Sequence, residues 1–181
     1  MAKGKGQRTK ARERGGFTLL ETIVALALIV SAMAGPFTLA TRGVFAAKFS
    51  RSKVVALNLG QEGIELIRHM REGNVLGGFD WRGLSGPCPA RCMRLSDGAY
   101  QPDVYTAAAG STPPLSTGSP MRFDDSAGLY SQVSGTATPF TRVVSIATPA
   151  ADQMRVTATV TWTESNIQRQ VRLETVLYNW R

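Results

Sequence analysis

Histidine is nearly missing from this sequence and cysteine is scarce: His69, Cys88 and Cys92 are the full complement in 181 residues. Three such side chains fall short of a closed tetrahedral metal site and leave little for nucleophilic chemistry. There is no phosphate-binding glycine loop, nucleophile elbow or close acid pair, so an enzyme is not expected and no cofactor is implied. Acidic residues are also in deficit, 13 against 21 basic, for a formal net charge of +8. The excess sits mostly at one end. Residues 1–16 carry Lys3, Lys5, Lys10, Arg8, Arg12 and Arg14 against Glu13, whereas the remainder holds 15 basic and 12 acidic side chains. So nearly balanced a body argues against a nucleic-acid-binding face, and nucleic acid is not expected as a partner. No internal repeat is visible.

Long apolar runs are rare too, with one exception. Phe17 to Ala34 is an 18-residue stretch with a single ionisable side chain, Glu21. The basic leader of residues 1–16 before it should stay cytoplasmic, because positive residues flanking a first span set its orientation. A nuclear or nucleic-acid role for the basic run is the competing reading, weakened by the apolar stretch beside it. An acid within an apolar span costs roughly 2.5–3.5 kcal/mol at a central position, so it usually has a use and a partner. Thr18-Leu19-Leu20-Glu21 also fits a capping box, in which Glu21 satisfies amides of the first helical turn. Capping and a partner-binding role can coexist.

Composition then divides the chain. Residues 17–40 read as a transmembrane or assembly helix, with a kink or local melting predicted at Gly35-Pro36. Residues 41–72 read as an amphipathic helix: Val55, Leu59, Leu66 and Met70, with Ile64 and Ile67 beside them, form a stripe able to cover a sheet. Gln61, Glu62, Glu65, Arg68, Arg71 and Glu72 supply its polar side, with Glu65 and Arg68 close enough to pair. Gly73-Asn74 and Gly77-Gly78 predict its end. Helix throughout from Phe17 to Glu72 would make a rod of about 84 Å.

Residues 73–128 are loop-rich: Gly86-Pro87-Cys88-Pro89, the stretch from Ala107 to Thr112, and Pro113-Pro114 read as surface connection. Trp81 and Leu84 are placed to pin this region to the body, with short strands suggested near Met93–Leu95 and Met121–Phe123. Residues 129–181 predict an antiparallel meander. Val156, Ala158, Val160 and Trp162 alternate with Thr157, Thr159, Thr161 and Thr163. Phe140, Val144 and Ile146 share a face before it; Val171, Leu173, Thr175 and Leu177 share one after it. A lone meander needs a cover, and the amphipathic helix is the candidate, giving an α+β ladle with a helical handle and a sheet bowl.

Gly16-Phe17-Thr18-Leu19-Leu20-Glu21, after a short basic leader, resembles the prepilin N-terminal motif of type IV pilins and type II secretion pseudopilins. The resemblance covers residues 1 to about 72, and the meander agrees with the type IV pilin-like fold in general terms. It implies that a prepilin peptidase cuts between Gly16 and Phe17 and that Phe17 becomes the N-methylated first residue. Glu21 then matches the family's glutamate, which pairs with the N-terminal ammonium of an adjacent subunit during assembly. Other implied partners are further pilin or pseudopilin subunits, an inner-membrane assembly platform and the lipid bilayer. The implied location is the cytoplasmic membrane, single-pass, with the C-terminal domain extracytoplasmic, and then a pilus or pseudopilus. Pro36 lies two places earlier than the kink proline of many major pilins, and the cysteines lie in the middle loop. Both departures, with Gln61 to Arg68 and the ending Leu177 to Arg181, resemble minor pilins or pseudopilins (PilV- or GspI-like) more than a major pilin.

Under that topology Cys88 and Cys92 face an oxidising exterior, which favours a disulfide closing a small loop, with a stabilisation of roughly 2 kcal/mol. A metal site adding His69 is the alternative, and His69 otherwise reads as a surface residue. Asp124-Asp125, with Asp97 and Asp103, could bind calcium as in some major pseudopilins, although their spacing fits no EF-hand. Two rival functions remain open. Residues 1–34 also satisfy a signal-peptide template with cleavage after Ala34, releasing a secreted β-domain. Alternatively the pilin-like body is a binding module for adhesion or DNA uptake.

Overall fold

The structure, a computed structural model, describes residues 16–89 and 91–180. The basic leader therefore lies outside the described residues except for Gly16. Two compact units divide between Ala47 and Lys48, a few residues beyond the composition boundary at 40–41. The chain is α+β: a 58-residue helix, α1 (Leu19–Leu76), precedes an antiparallel sheet.

In the first unit α1 passes through Pro36 as continuous helix, so of the kink or local melting expected there the melting does not occur. A proline inside a helix removes one amide donor but leaves the neighbouring turns free to bond. Thr38 Oγ1 donates to Gly35 O at 2.7 Å, and Thr41 Oγ1 donates to Thr38 O at 2.9 Å, so both hydroxyls are satisfied by the helix itself.

In the second unit the amphipathic stripe is buried as its spacing requires. Leu59, Ile64, Leu66, Ile67 and Met70 enter the core, with Val55 partly buried against it. Full burial of a side chain such as Leu59, Ile67 or Met70 contributes about 1.5–3 kcal/mol. Gly60 and Gly63 lie on the same face, and there the sheet comes closest. A Cβ on Gly60 would stand 2.8 Å from Leu173 Cδ1, and one on Gly63 would stand 2.9 Å from Val144 Cγ2.

The helix ends at Leu76 rather than Glu72. Asn74 is fully buried and its side chain is committed elsewhere: Nδ2 donates to Met93 O at 2.7 Å, and Oδ1 accepts from Met93 N–H at 2.8 Å. Gly78, at φ 75°, then closes a Schellman turn, with Phe79 N–H donating to Asn74 O and Gly78 N–H donating to Val75 O.

Four antiparallel strands form the main sheet in the order β1-β5-β6-β7: β1 (Gly98–Tyr100), β5 (Thr141–Ala150), β6 (Gln153–Glu164) and β7 (Ile167–Tyr178). The meander is thus present with one strand added at its edge. The rows Phe140–Val144–Ile146 and Val156–Ala158–Val160–Trp162 are buried as the alternation predicts. Arg142 shares the first row and is also fully buried.

The loop-rich stretch holds more structure than expected. A short helix, α2 (Val104–Ala108), begins at Asp103, whose carboxylate accepts from Tyr105 N–H while Thr106 Oγ1 accepts from Asp103 N–H. A small three-stranded sheet of order β3-β2-β4 straddles the end of this stretch: β2 (Arg122–Asp124) lies in the loop-rich part, while β3 (Leu129–Ser131) and β4 (Thr136–Ala137) fall in the region read as meander. Met93–Leu95 forms no strand; Met93 and Leu95 are buried and held by Asn74 and Arg82 O. Trp81 is buried and anchors the loop, whereas Leu84 is largely exposed and does not.

Candidate functional site

The sequence motif lies at the start of α1. Gly16, Phe17 and Thr18 precede the first helical residue in no regular structure, and Gly16 and Phe17 are exposed. Thr18 caps the helix: its Oγ1 accepts from Glu21 N–H at 3.3 Å, and its carbonyl accepts from Thr22 N–H at 3.2 Å. Only half of the capping box forms. Among the described residues the Glu21 carboxylate receives no hydrogen bond and joins no ion pair, and it is exposed. Capping therefore uses the backbone of Glu21 and leaves its charge unspent.

Around that carboxylate the surface is apolar. Phe17, Leu19, Leu20, Ile23, Val24, Leu26, Ile29 and Met33 are each at least half exposed. An 18-residue window of this segment has mean hydropathy 2.2, with none of it buried. Apolar surface of this extent marks an interaction with membrane or protein. The few polar side chains fold back on the helix: Thr22 Oγ1 donates to Leu19 O at 2.8 Å, and Ser31 Oγ donates to Ala27 O at 2.7 Å. Hydroxyls satisfied in this way cost little in an apolar medium. By length and composition α1 can cross a membrane.

The second unit holds the remaining candidates. Cys88 and Cys92 form a disulfide with S–S 1.99 Å. His69 is exposed on α1. Three of the four acids raised as calcium ligands, Asp97, Asp103 and Asp124, are engaged separately. Asp103 accepts from Tyr105 and Gln132 amides, Asp97 accepts from Thr148, and Asp124 accepts from Ser126, Ala127 and Ser134. Those bonds hold the Asp124 carboxyl down to a pKa of about 2, the Ser126 hydroxyl contributing most. No three His, Cys, Asp or Glu side chains converge among the described residues.

Sequence reasoning missed two buried cations. Arg71, assigned to the polar side of the helix, is buried; its Nη2 donates to Tyr178 O at 2.6 Å beneath the Trp180 ring. Arg142 reaches Leu59 O at 3.1 Å, Pro102 O at 2.7 Å and Glu62 Oε1 at 3.0 Å. Its position in the row of Phe140, Val144 and Ile146 was the available signal. Both arginines tie α1 to later parts of the chain.

No family model matches this chain, and neither the comparison with curated proteins nor that with solved structures finds a match.

Proposed function

We propose that the protein is a structural subunit with a type IV pilin-like fold, a minor pilin or pseudopilin. A prepilin peptidase cuts between Gly16 and Phe17, Phe17 is methylated on its new amine, and α1 holds the subunit in the cytoplasmic membrane until assembly. The observation that carries this reading is the Glu21 carboxylate, without a partner among the described residues, in the first turn of an exposed apolar helix. An acid in apolar surroundings is destabilised unless a cation meets it, and the freed ammonium of a neighbouring subunit supplies one. Head-to-tail contact of this kind does not close on itself and so extends into a fibre. The irregular, exposed backbone at Gly16 and Phe17 supports access by a peptidase. A cut after Ala34 would instead fall in the middle of α1 and discard the apolar face.

The test is mass spectrometry of the mature N-terminus together with a Glu21→Ala variant in the native host. N-methylated Phe17 is expected, with Glu21→Ala still cleaved and membrane-inserted but at least about tenfold less abundant in sheared filaments, the size of one lost interaction of 1.4 kcal/mol. A mature chain beginning at Gly35, or full incorporation of Glu21→Ala, overturns the reading.

A further inference from the structure

The two edges of the main sheet are treated differently. At the β1 edge the chain covers itself: Ser116 N–H donates to Ala99 O at 2.8 Å and Gln101 N–H donates to Pro114 O at 2.9 Å. Leu115 bridges Tyr100 there, just after Pro113 and Pro114, which have no amide hydrogen to offer further strands. Among the described residues the β7 edge has no such cover.

Which groups of β7 face outward follows from its turn. Ser165 and Asn166 have φ 50° and 62° and form a two-residue hairpin loop closed by Glu164 and Ile167. The closing pair of such a loop exchanges both backbone bonds, so odd-numbered residues of β7 bond to β6. Even-numbered residues turn their N–H and C=O away. The far end agrees: Asn179 N–H donates back to Asp152 O, while Tyr178 O turns outward to Arg71. Gln168, Gln170, Arg172 and Glu174 thus present an unpaired row about 20 Å long. Among the described residues nothing hydrogen-bonds to their amides from outside the sheet.

Edges of this length are ordinarily interrupted by a bulge, a proline or a covering loop. β7 has none, and it pairs with β6 in unbroken register from Ile167 to Tyr178. On the outer face Arg172 and, one strand in, Arg155 of β6 share a single carboxylate, that of Glu174, which stands 3.3 Å from both. Arg169 lies over the Phe49 ring at 5.2 Å and has no carboxylate partner among the described residues.

We propose that the β7 edge is a docking surface for an extended segment of another protein that carries acidic side chains at alternate positions. The segment adds antiparallel to β7 as a fifth strand. Its backbone takes up the outward groups of Gln168 to Glu174, and its acids meet Arg172 on the outer face of the sheet.

The full-length chain in detergent micelles tests this by residue-resolved amide hydrogen exchange with two capped peptides of about eight residues, a typical strand length. One alternates Glu and Val, the other Lys and Val. The acidic peptide is expected to slow exchange at Gln168, Gln170, Arg172 and Glu174 saturably and by at least about tenfold, leaving Val171 and Leu173 unchanged, because only outward amides gain a partner. Arg172→Glu should weaken that saturation at least about tenfold, the loss of one charge-assisted contact. Gln170→Pro should abolish it by removing an outward donor. If that proline also loosens Val171 and Leu173, the Arg172→Glu result decides. No slowing at about 1 mM peptide, equal slowing by both peptides, or slowing produced by protein concentration alone overturns the proposal.

Discussion

Arg142 shows how one side chain can join three parts of a fold. It is fully buried between α1 and the sheet, with its guanidinium on Leu59 O, Pro102 O and Glu62. Gly63 makes room for it, since a Cβ there would stand 3.1 Å from Arg142 Cδ. Arg142→Ala would leave two carbonyls without their donor and open a cavity. The expected loss of stability is about 3 kcal/mol, the low end for breaking a buried pair because Glu62 is partly exposed and can rehydrate. Arg142→Met, which keeps most of the volume, should cost less. Denaturant unfolding followed by fluorescence of the buried Trp81 and Trp162 measures both, and equal stability of Arg142→Ala and the parent would contradict this account. Even spacing placed Phe140, Val144 and Ile146 in the core, but a charge in the same row gives no sign in sequence of which carbonyls will receive it.

At the scale of elements, short-range chemistry explains the ends and turns. The segment from β2 to β4 is held by Asp124, whose oxygens accept from Ser126 Oγ, Ser134 Oγ and two amides. These bonds favour the ionised form and lower its pKa from 3.8 to about 2. A depressed carboxyl contributes its stabilisation above the unfolded value and loses it as pH falls through the folded one. The turn should therefore hold at pH 5 and loosen between about pH 4 and pH 2. Faster exchange of the Ser126 and Ala127 amides in that window is the expected signal, and Asp124→Asn should remove the pH dependence; an unchanged profile in that variant would contradict it. Among the elements that escaped the sequence reading, β1 and α2 did so for opposite reasons. Strand β1 is three residues long and pairs with β5 some 46 residues later, at Tyr100 and Val144 or Gly98 and Ile146, so no local pattern announces it. Helix α2 did announce itself, through Asp103 and Thr106 as a reciprocal cap, but its run of alanines resembled a linker.

For the whole molecule, the apolar segment of α1 dominates behaviour in solution. If α1, which by length and composition can cross a membrane, does so, the chain should sediment with membranes, resist extraction by alkaline carbonate and be released by a non-ionic detergent. Release by carbonate alone would contradict a membrane span. The sequence by itself determined that there is one long helix with an apolar start, that its second half is amphipathic, and that a β meander follows. Those properties depend on the periods of 3.6 and 2 residues, which any chain displays before it folds. It also singled out Glu21, because a charge among apolar neighbours is visible in one dimension. Only the tertiary structure decided that Arg71 and Arg142 are buried, that Asn74 continues α1 while clamping Met93, and that the β7 edge is left open while the β1 edge is covered. Each of these depends on a partner far along the chain, and burial of a polar group is tolerable only when such a partner arrives.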